Sequence, residues 1–222
     1  MNWEDQGFLL NKKKFRENAN IISVFTQKYG KMTGIVYGGN SRKIRNYLQI
    51  CNKIFLSHSS SRSNKIGYLK TEIIQAISPK YFDDKKRSSS LLSISDILNT
   101  LLPESQSHLN IYNSLSYYLE QIDQDNWPLL YVFWELNLIK ELGFGFSFEK
   151  TKNDNEIIST NIDNITYNVP KFIINNEIPE NYKQSTIYKS LNFTRNIMLN
   201  KFYQPNNLFF PRSRLIFENY FI

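Results

Sequence analysis

Thiol and imidazole are almost missing from this chain: Cys51 is its one cysteine, and His58 and His108 are its two histidines. A disulfide within the chain is therefore excluded, and no Cys/His set has the spacing of a zinc site. Long apolar runs are missing too. No window approaches the roughly 18 apolar residues of a membrane span, and Trp3 is followed by Glu4, Asp5 and Gln6 rather than by the apolar stretch of a targeting signal. The expected compartment is the cytoplasm. The parts of an active site are equally scarce. His58 precedes a serine run, but no nucleophile elbow surrounds it and no acid is near in sequence. Gly38-Gly39-Asn40 lacks the lysine and Ser/Thr of a phosphate-binding P-loop. Cys51 falls in an expected strand and reads as an inert core thiol, and Asp83 and Asp84 read as a solvated connector. No catalytic residue, metal or cofactor is assigned, and the expectation is a protein that is not an enzyme.

Acidic residues are few in one region only. Residues 1–80 contain 14 Lys and Arg against 4 Asp and Glu, a net +10, whereas residues 81–222 contain 13 against 16, a net −3. The 27 asparagines suggest a compositional bias that raises lysine as well, yet such a bias would be uniform along the chain. A segment with this polarised charge attracts polyanions by releasing their counterions. Nucleic acid is the leading partner class, ahead of an acidic membrane surface or an acidic protein.

The same boundary separates two periodicities. Short strands are expected at residues 7–11, 19–26, 31–37, 47–57 and 66–77, separated by turn chemistry. Gly30 stands where a turn needs positive φ, and Gly34 within its strand suggests a bulge or bend. Five short strands are most economically closed into a small barrel, which removes the two edges; an antiparallel sheet packed on the helical part is the alternative. After Ser78-Pro79 and the polar "FDDKKRSSS" the period becomes helical. Helices are expected over 91–102, ended by Pro103, and over 108–122. The next, after Asn126 as N-cap with Pro128 in its first turn, is stopped by Gly143. Its broad apolar surface marks it as central and buried. Residues 150–180 read as an irregular, Asn-rich excursion with strand-like pieces around 167–174. Helices resume over 182–202 and after Pro211. The fold class is thus α+β: a basic N-terminal domain over 1–79, then a helical domain over 80–222 with an irregular insertion.

Basic residues gather in the expected joints of the first domain. Lys12, Lys13, Lys14 and Arg16 follow the first strand, Lys28 and Lys31 flank the second turn, and Arg42, Lys43 and Arg45 occupy the loop in "GGNSRKIRN". Phe8, Phe15, Tyr29, Tyr37 and Tyr47 are interleaved with them, as base stacking beside phosphate contacts requires. Phe8 is preferred as a core residue. The candidate DNA-binding set is Lys12, Lys13, Lys14, Arg16, Lys28, Lys31, Arg42, Lys43, Arg45, Tyr37 and Tyr47.

Several segments in order carry a resemblance: "MNWEDQGFLL", "ENANIISVFTQKYGKMTGIVYGG", "SRKIRNYLQ", "LLPESQ", "FWELNLIKELGFGFSF" and "FTRNIMLNKFYQPNNLFFPRSR". The chain resembles the bacterial DNA-repair family RecO over its whole length. That resemblance implies an N-terminal five-stranded OB-fold and a C-terminal helical domain. It also implies binding of single- and double-stranded DNA, annealing of complementary strands, contact with the acidic tail of single-stranded DNA-binding protein, and loading of RecA together with RecR. Two departures stand out. Many relatives carry four zinc-binding cysteines just after the "LGFG" segment, where this chain has Glu149-Lys150-Thr151-Lys152 and no cysteine. Some carry arginines before the [FW]-E-L motif that contact the tail carboxylate, where this chain has Val132 and Phe133, so an apolar groove and a different cation would have to replace them. The rival reading is an interaction scaffold whose OB-fold grips acidic protein tails, with DNA binding incidental.

Overall fold

The first strand is three times the expected length in reach: β1 (Asn2–Arg16) runs through the basic cluster instead of ending before it. A computed structural model of the chain describes residues 2–38, 41–60, 66–149, 155–179 and 181–222, with the side chain of Lys43 excepted. Gly39 and Asn40, most of the serine-rich stretch, and the start of the expected excursion at 150–154 lie outside the described residues. β1 continues because its hydrogen bonds come from two partners. Its first half pairs with β4 (Lys53–Ser59) and its second half with β2 (Ala19–Thr26). Irregularities at Leu9/Asn11 and Lys14/Arg16 bend it. Hydrophobic alternation fades after Leu10, so the sequence pattern could not show a strand held there by backbone pairing.

β3 (Gly30–Tyr37) pairs antiparallel with β2, and β5 (Gly67–Gln75) lies parallel to β3 and antiparallel to β4. The closed order is β1-β2-β3-β5-β4. This is the five-stranded OB-fold barrel, with one parallel contact among antiparallel ones. Leu9, Ile22, Val24, Val36, Leu48, Ile54, Leu56 and Leu69 fill it. The fourth strand begins at Lys53 rather than at 47. Residues before it form a short helix, α1 (Arg42–Tyr47), whose N-cap Ser41 accepts from the Ile44 amide. Helical spacing lets Ile44 and Tyr47 pack against the barrel core.

Two glycines have steric causes. At Gly30, with φ at 73°, a Cβ would lie 1.7 Å from the Gln106 carbonyl oxygen, because residues 104–106 run against β3 and the Ser105 amide donates to the Lys31 carbonyl at 2.8 Å. Gly34 corrects an expectation. The β2–β3 register passes through it without a bulge, and glycine is required instead because a Cβ would meet the Leu69 side chain at 2.5 Å where β5 crosses.

The chain divides into two compact units, residues 1–113 with 211–214 and residues 114–210 with 215–222. The change of charge and period at residue 80 marks the end of the barrel strands, but α2 (Lys85–Leu101) packs on β1 within the first unit. Its buried residues mix the apolar Leu91, Ile94, Ile97 and Leu98 with the small polar Ser89, Ser90, Ser93 and Ser95, and the Ser95 hydroxyl donates to the Leu10 carbonyl. Cys51 is buried and donates to the Leu91 carbonyl at 3.4 Å; burial, then the charge of Asp96, push its thiol far above the ordinary range. It lies in a turn rather than a strand, and its thiol is buried as expected. α3 (Leu109–Gln121) begins in this unit, where Tyr112 packs on Phe8 and Phe25.

In the second unit α4 (Trp127–Glu141) packs on α6 (Gln184–Met198). α4 starts after Asn126 as expected, although that side chain makes no cap hydrogen bond, and Glu135 is buried within it, accepting from Thr194 of α6 at 2.5 Å. The described part of the excursion is more regular than expected. It forms an antiparallel hairpin of β6 (Ile157–Ile162) and β7 (Ile165–Pro170), followed by the single turn α5 (Lys171–Asn175). Asp163 and Asn164 make the turn at positive φ. β6 reads Ile-Ile-Ser-Thr-Asn-Ile, with consecutive polar residues instead of an alternating period, so its sequence does not show a strand. A π-helical turn at Leu199–Tyr203 extends α6, and α7 (Arg212–Asn219) follows Pro211 as expected.

Candidate nucleic-acid interface

Strand register gathers residues from four strands that are far apart in sequence. Lys13 of β1 pairs with Ile21 of β2, Ile21 with Ile35 of β3, and Ile35 with Tyr68 of β5, so these four form one row across the barrel. The next row joins Arg16, Ala19 and Tyr37. Neighbouring positions Ile22, Val24, Val36 and Leu69 fill the core, so by alternation both rows point away from the barrel interior; Lys13, Arg16, Tyr37 and Tyr68 are exposed, whereas Ala19 is buried. They lie at the end of the barrel where β1 ends, β2 begins, β3 ends and β5 begins. Tyr37 and Tyr68 are 54% and 48% exposed and stack with centroids 5.4 Å apart. Arg16 lies over the exposed Phe15 ring at 5.2 Å.

Other expected site residues go elsewhere. Lys12 has the opposite parity: its ammonium donates to the Leu48 carbonyl at 2.8 Å. Burial, then the nearby charge of Arg45, hold its pKa below the usual lysine value. That places Lys12 beside α1, where Arg42 and Arg45 are exposed. The "GGNSRKIRN" basic cluster is therefore helical rather than a loop, and Lys43 lies on α1 with its side chain outside the described residues. Lys14 is exposed opposite Asn20. Lys28 is exposed in the β2–β3 turn at the other end of the barrel, with its amide donating to Asp5 at 2.7 Å. Lys31 is buried, donating to the Asn99 carbonyl at 2.9 Å and lying 3.6 Å from Glu104. Tyr47 is a structural residue: its hydroxyl donates to the Thr71 carbonyl at 2.6 Å. Phe8 is core, as preferred, and Tyr29 stacks on Trp3 at 4.4 Å.

Lys13, Arg16 and Tyr37 are thus brought together, whereas Lys28, Lys31 and Tyr47 are not part of that surface. Tyr68 was missed by the sequence reading. Its signal is the alternation in Gly67-Tyr68-Leu69-Lys70, which sends Leu69 inward and its neighbours outward.

The second unit has a separate groove of 410 Å³ lined by Phe133, Leu136, Lys140, Phe144, Phe146 and Ile173, among others. Lys201 lies over the Phe144 ring at 4.3 Å and pairs with Asp163 at 2.8 Å. Among the described residues, no group of three or more His, Cys, Asp or Glu side chains is placed to hold a metal, and no helix is long and apolar enough to cross a membrane.

Family comparison agrees with this architecture. The family model "Recombination protein O N terminal" matches residues 1–77, and "Recombination protein O C terminal" matches residues 83–176. The chain is 34% identical over 173 residues to the DNA repair protein RecO of Ehrlichia chaffeensis, covering 77% of this chain and 68% of that protein. It is 32% identical over 152 residues to the protein of that name from Wolbachia pipientis wMel, covering 68% of this chain and 62% of the relative. The matches therefore span about three fifths to two thirds of these relatives' length. With an OB-fold barrel under the N-terminal match and helices under the C-terminal one, the chain belongs to the RecO family.

Proposed function

We propose that the chain is a DNA repair and recombination mediator that holds DNA on its barrel and brings complementary strands together. The observation that carries this reading is the pair of outward rows, Lys13–Ile21–Ile35–Tyr68 and Arg16–Ala19–Tyr37. They place cations and exposed aromatic rings on the face that OB-folds use for oligonucleotides. The cluster of Lys12, Arg42 and Arg45 adds a second cationic area, in which like charges already oppose one another. A phosphate would relieve that repulsion. The relatives named DNA repair protein RecO support the same reading.

Annealing requires no covalent step. A cationic surface lowers the repulsion between two polyanions and raises their local concentration, so single- and double-stranded DNA are both ligands. In this reading residues 1–79 hold DNA, residues 80–222 recruit partners, and the protein acts in the cytoplasm without a metal. The phenylalanine-lined groove beside Lys140 suits an apolar peptide ending in carboxylates, and we assign it the acidic tail of single-stranded DNA-binding protein. Lys140 then replaces the arginines expected near Val132 and Phe133. With RecR, the complex would help load RecA on coated strands.

The test is annealing of complementary oligonucleotides coated with single-stranded DNA-binding protein. Faster annealing than the coated strands alone is expected. Absence of both annealing and direct DNA binding at moderate salt would favour a scaffold that only grips acidic tails.

A further inference from the structure

We propose that Tyr37 and Tyr68 form a base-stacking platform that makes the barrel discriminate single-stranded from double-stranded DNA. This deepens, and rests on, the reading of the barrel as the DNA-holding element. The two rings come from neighbouring parallel strands, two residues out of row and so on the same face, and stack at 5.4 Å with planes 29° apart. They contribute nothing to the barrel interior, which is filled by their inward neighbours Val36 and Leu69. Two large rings left 54% and 48% exposed on an outward face call for a reason other than packing.

Their chemistry separates the two forms of DNA. In a duplex every base is already stacked between neighbours, and the surface offers phosphates and base edges. In a single strand the flat faces of the bases are free, and an aromatic ring can take them whatever their sequence. Lys13 and Arg16, in the same two rows, meet phosphates of either form. The cations therefore set overall affinity, and the tyrosines set the preference. Because the rings are already stacked on each other, little side-chain freedom is lost when a base joins the pile.

Of the other aromatic groups near the barrel surface, Phe15 is exposed but carries the Arg16 guanidinium over its ring at 5.2 Å, whereas Trp3 and Tyr47 are committed within the protein. Trp3 lies between Tyr29 and His58, with centroids 4.4 Å and 4.7 Å away, so both its faces are used. Tyr47 is tied to Thr71. The Tyr37–Tyr68 pair is the stack carried by the outward rows.

The experiment compares the full-length wild type with the double variants Tyr37→Ala/Tyr68→Ala and Tyr37→Phe/Tyr68→Phe. Binding is measured at fixed salt to an oligothymidylate, to a blunt duplex, and to a strand of the same length carrying abasic sites. The alanine variant should lose about ten-fold or more in affinity for oligothymidylate while duplex affinity stays within about two-fold. The phenylalanine variant should keep the wild-type preference. The wild type should bind the abasic strand about as weakly as the alanine variant binds oligothymidylate. An equal loss on single strand and duplex, or no loss on single strand, overturns the platform. If the alanine variant is unchanged while Lys13→Ala/Arg16→Ala weakens both ligands, the DNA reading stands and the platform falls. If the wild type binds no DNA, the reading beneath it falls with it. Both tyrosines are exposed, so the variants should unfold at the wild-type temperature, and that measurement separates lost stacking from lost fold.

Discussion

The ammonium of Lys31 donates to the backbone carbonyl of Asn99 at 2.9 Å, fixing the end of α2 to the third barrel strand. Glu104 lies 3.6 Å from the same nitrogen and also accepts from Thr33 at 3.1 Å. A lysine in the basic half of the chain is thus used for packing. Lys31→Ala should destabilise the protein by about 1 to 3 kcal/mol, because a carbonyl loses its charged donor. Affinity for DNA at a temperature where the variant is folded should be unchanged. Denaturant unfolding and DNA titration check the two halves of this statement.

The exposed cations make the opposite prediction. Lys13→Ala/Arg16→Ala should leave unfolding within about 0.5 kcal/mol of wild type, as expected for surface positions. The slope of log affinity against log salt should flatten by about 1.4 on single strands, which is two phosphate contacts at about 0.7 each. Replacing Arg42, Lys43 and Arg45 together should flatten it by about 2 and weaken binding across sequences. An unchanged slope for either variant removes that cluster from the contact surface.

Gly34 and Leu69 form a sterically matched pair, since a Cβ at residue 34 would lie 2.5 Å from Leu69 Cδ1. Gly34→Ala should cost about 1 to 3 kcal/mol by overpacking. In the background of Leu69→Ala the same substitution should cost much less, because the clash is with a side chain. Equal costs in the two backgrounds would place the strain elsewhere. At Gly30 the obstacle is the backbone oxygen of Gln106, combined with positive φ, so no side-chain truncation should rescue Gly30→Ala.

Asp84 caps α2, accepting from the amides of Lys86 and Arg87 at 3.0 and 2.9 Å and from the Arg87 guanidinium at 2.7 Å. Burial alone would raise its pKa, but these hydrogen bonds and the Arg87 charge together hold it below the ordinary 3.8. The folded state therefore binds the proton less readily than the unfolded state. The stabilisation is complete above the unfolded value and disappears as pH falls through the folded one. Asp84→Ala should cost about 1 kcal/mol at pH 7, and this difference should shrink as the pH is lowered below about 4. Asp84→Asn should cost less at pH 7, because the amide still caps the helix. Unfolding of the three proteins at several pH values checks the trend. The sequence reading of Asp84 as a solvated connector overlooked this cap.

Elements whose residues carry their own periodic pattern were legible. β2 was found at its full extent, and the helix after Asn126 ends at Gly143, which has φ at 93°. Elements held by partners were not legible. β1 beyond Leu10 is basic and exposed, and only pairing with β2 makes it strand. The six residues of α1 are less than two turns of helix and offer too few positions to show a period, so the pattern there suggests loop and strand. The hairpin at 157–170 was obscured by its polar residues.

For the candidate site the division follows the same physics. Composition determined by itself that residues 1–80 are a cationic half with a net +10, because charge depends only on which residues are present. Linear order then grouped Lys28 and Lys31 with Lys13 and Arg16, since all are close in the chain. Only the closed barrel decided otherwise. Its pairing register turned Lys12 toward Leu48, buried Lys31 beside Asn99, and brought Tyr68 from the fifth strand next to Tyr37 of the third. Which side of a strand a residue occupies, and which distant strand lies beside it, depends on hydrogen bonds between segments and not on the residues of one segment.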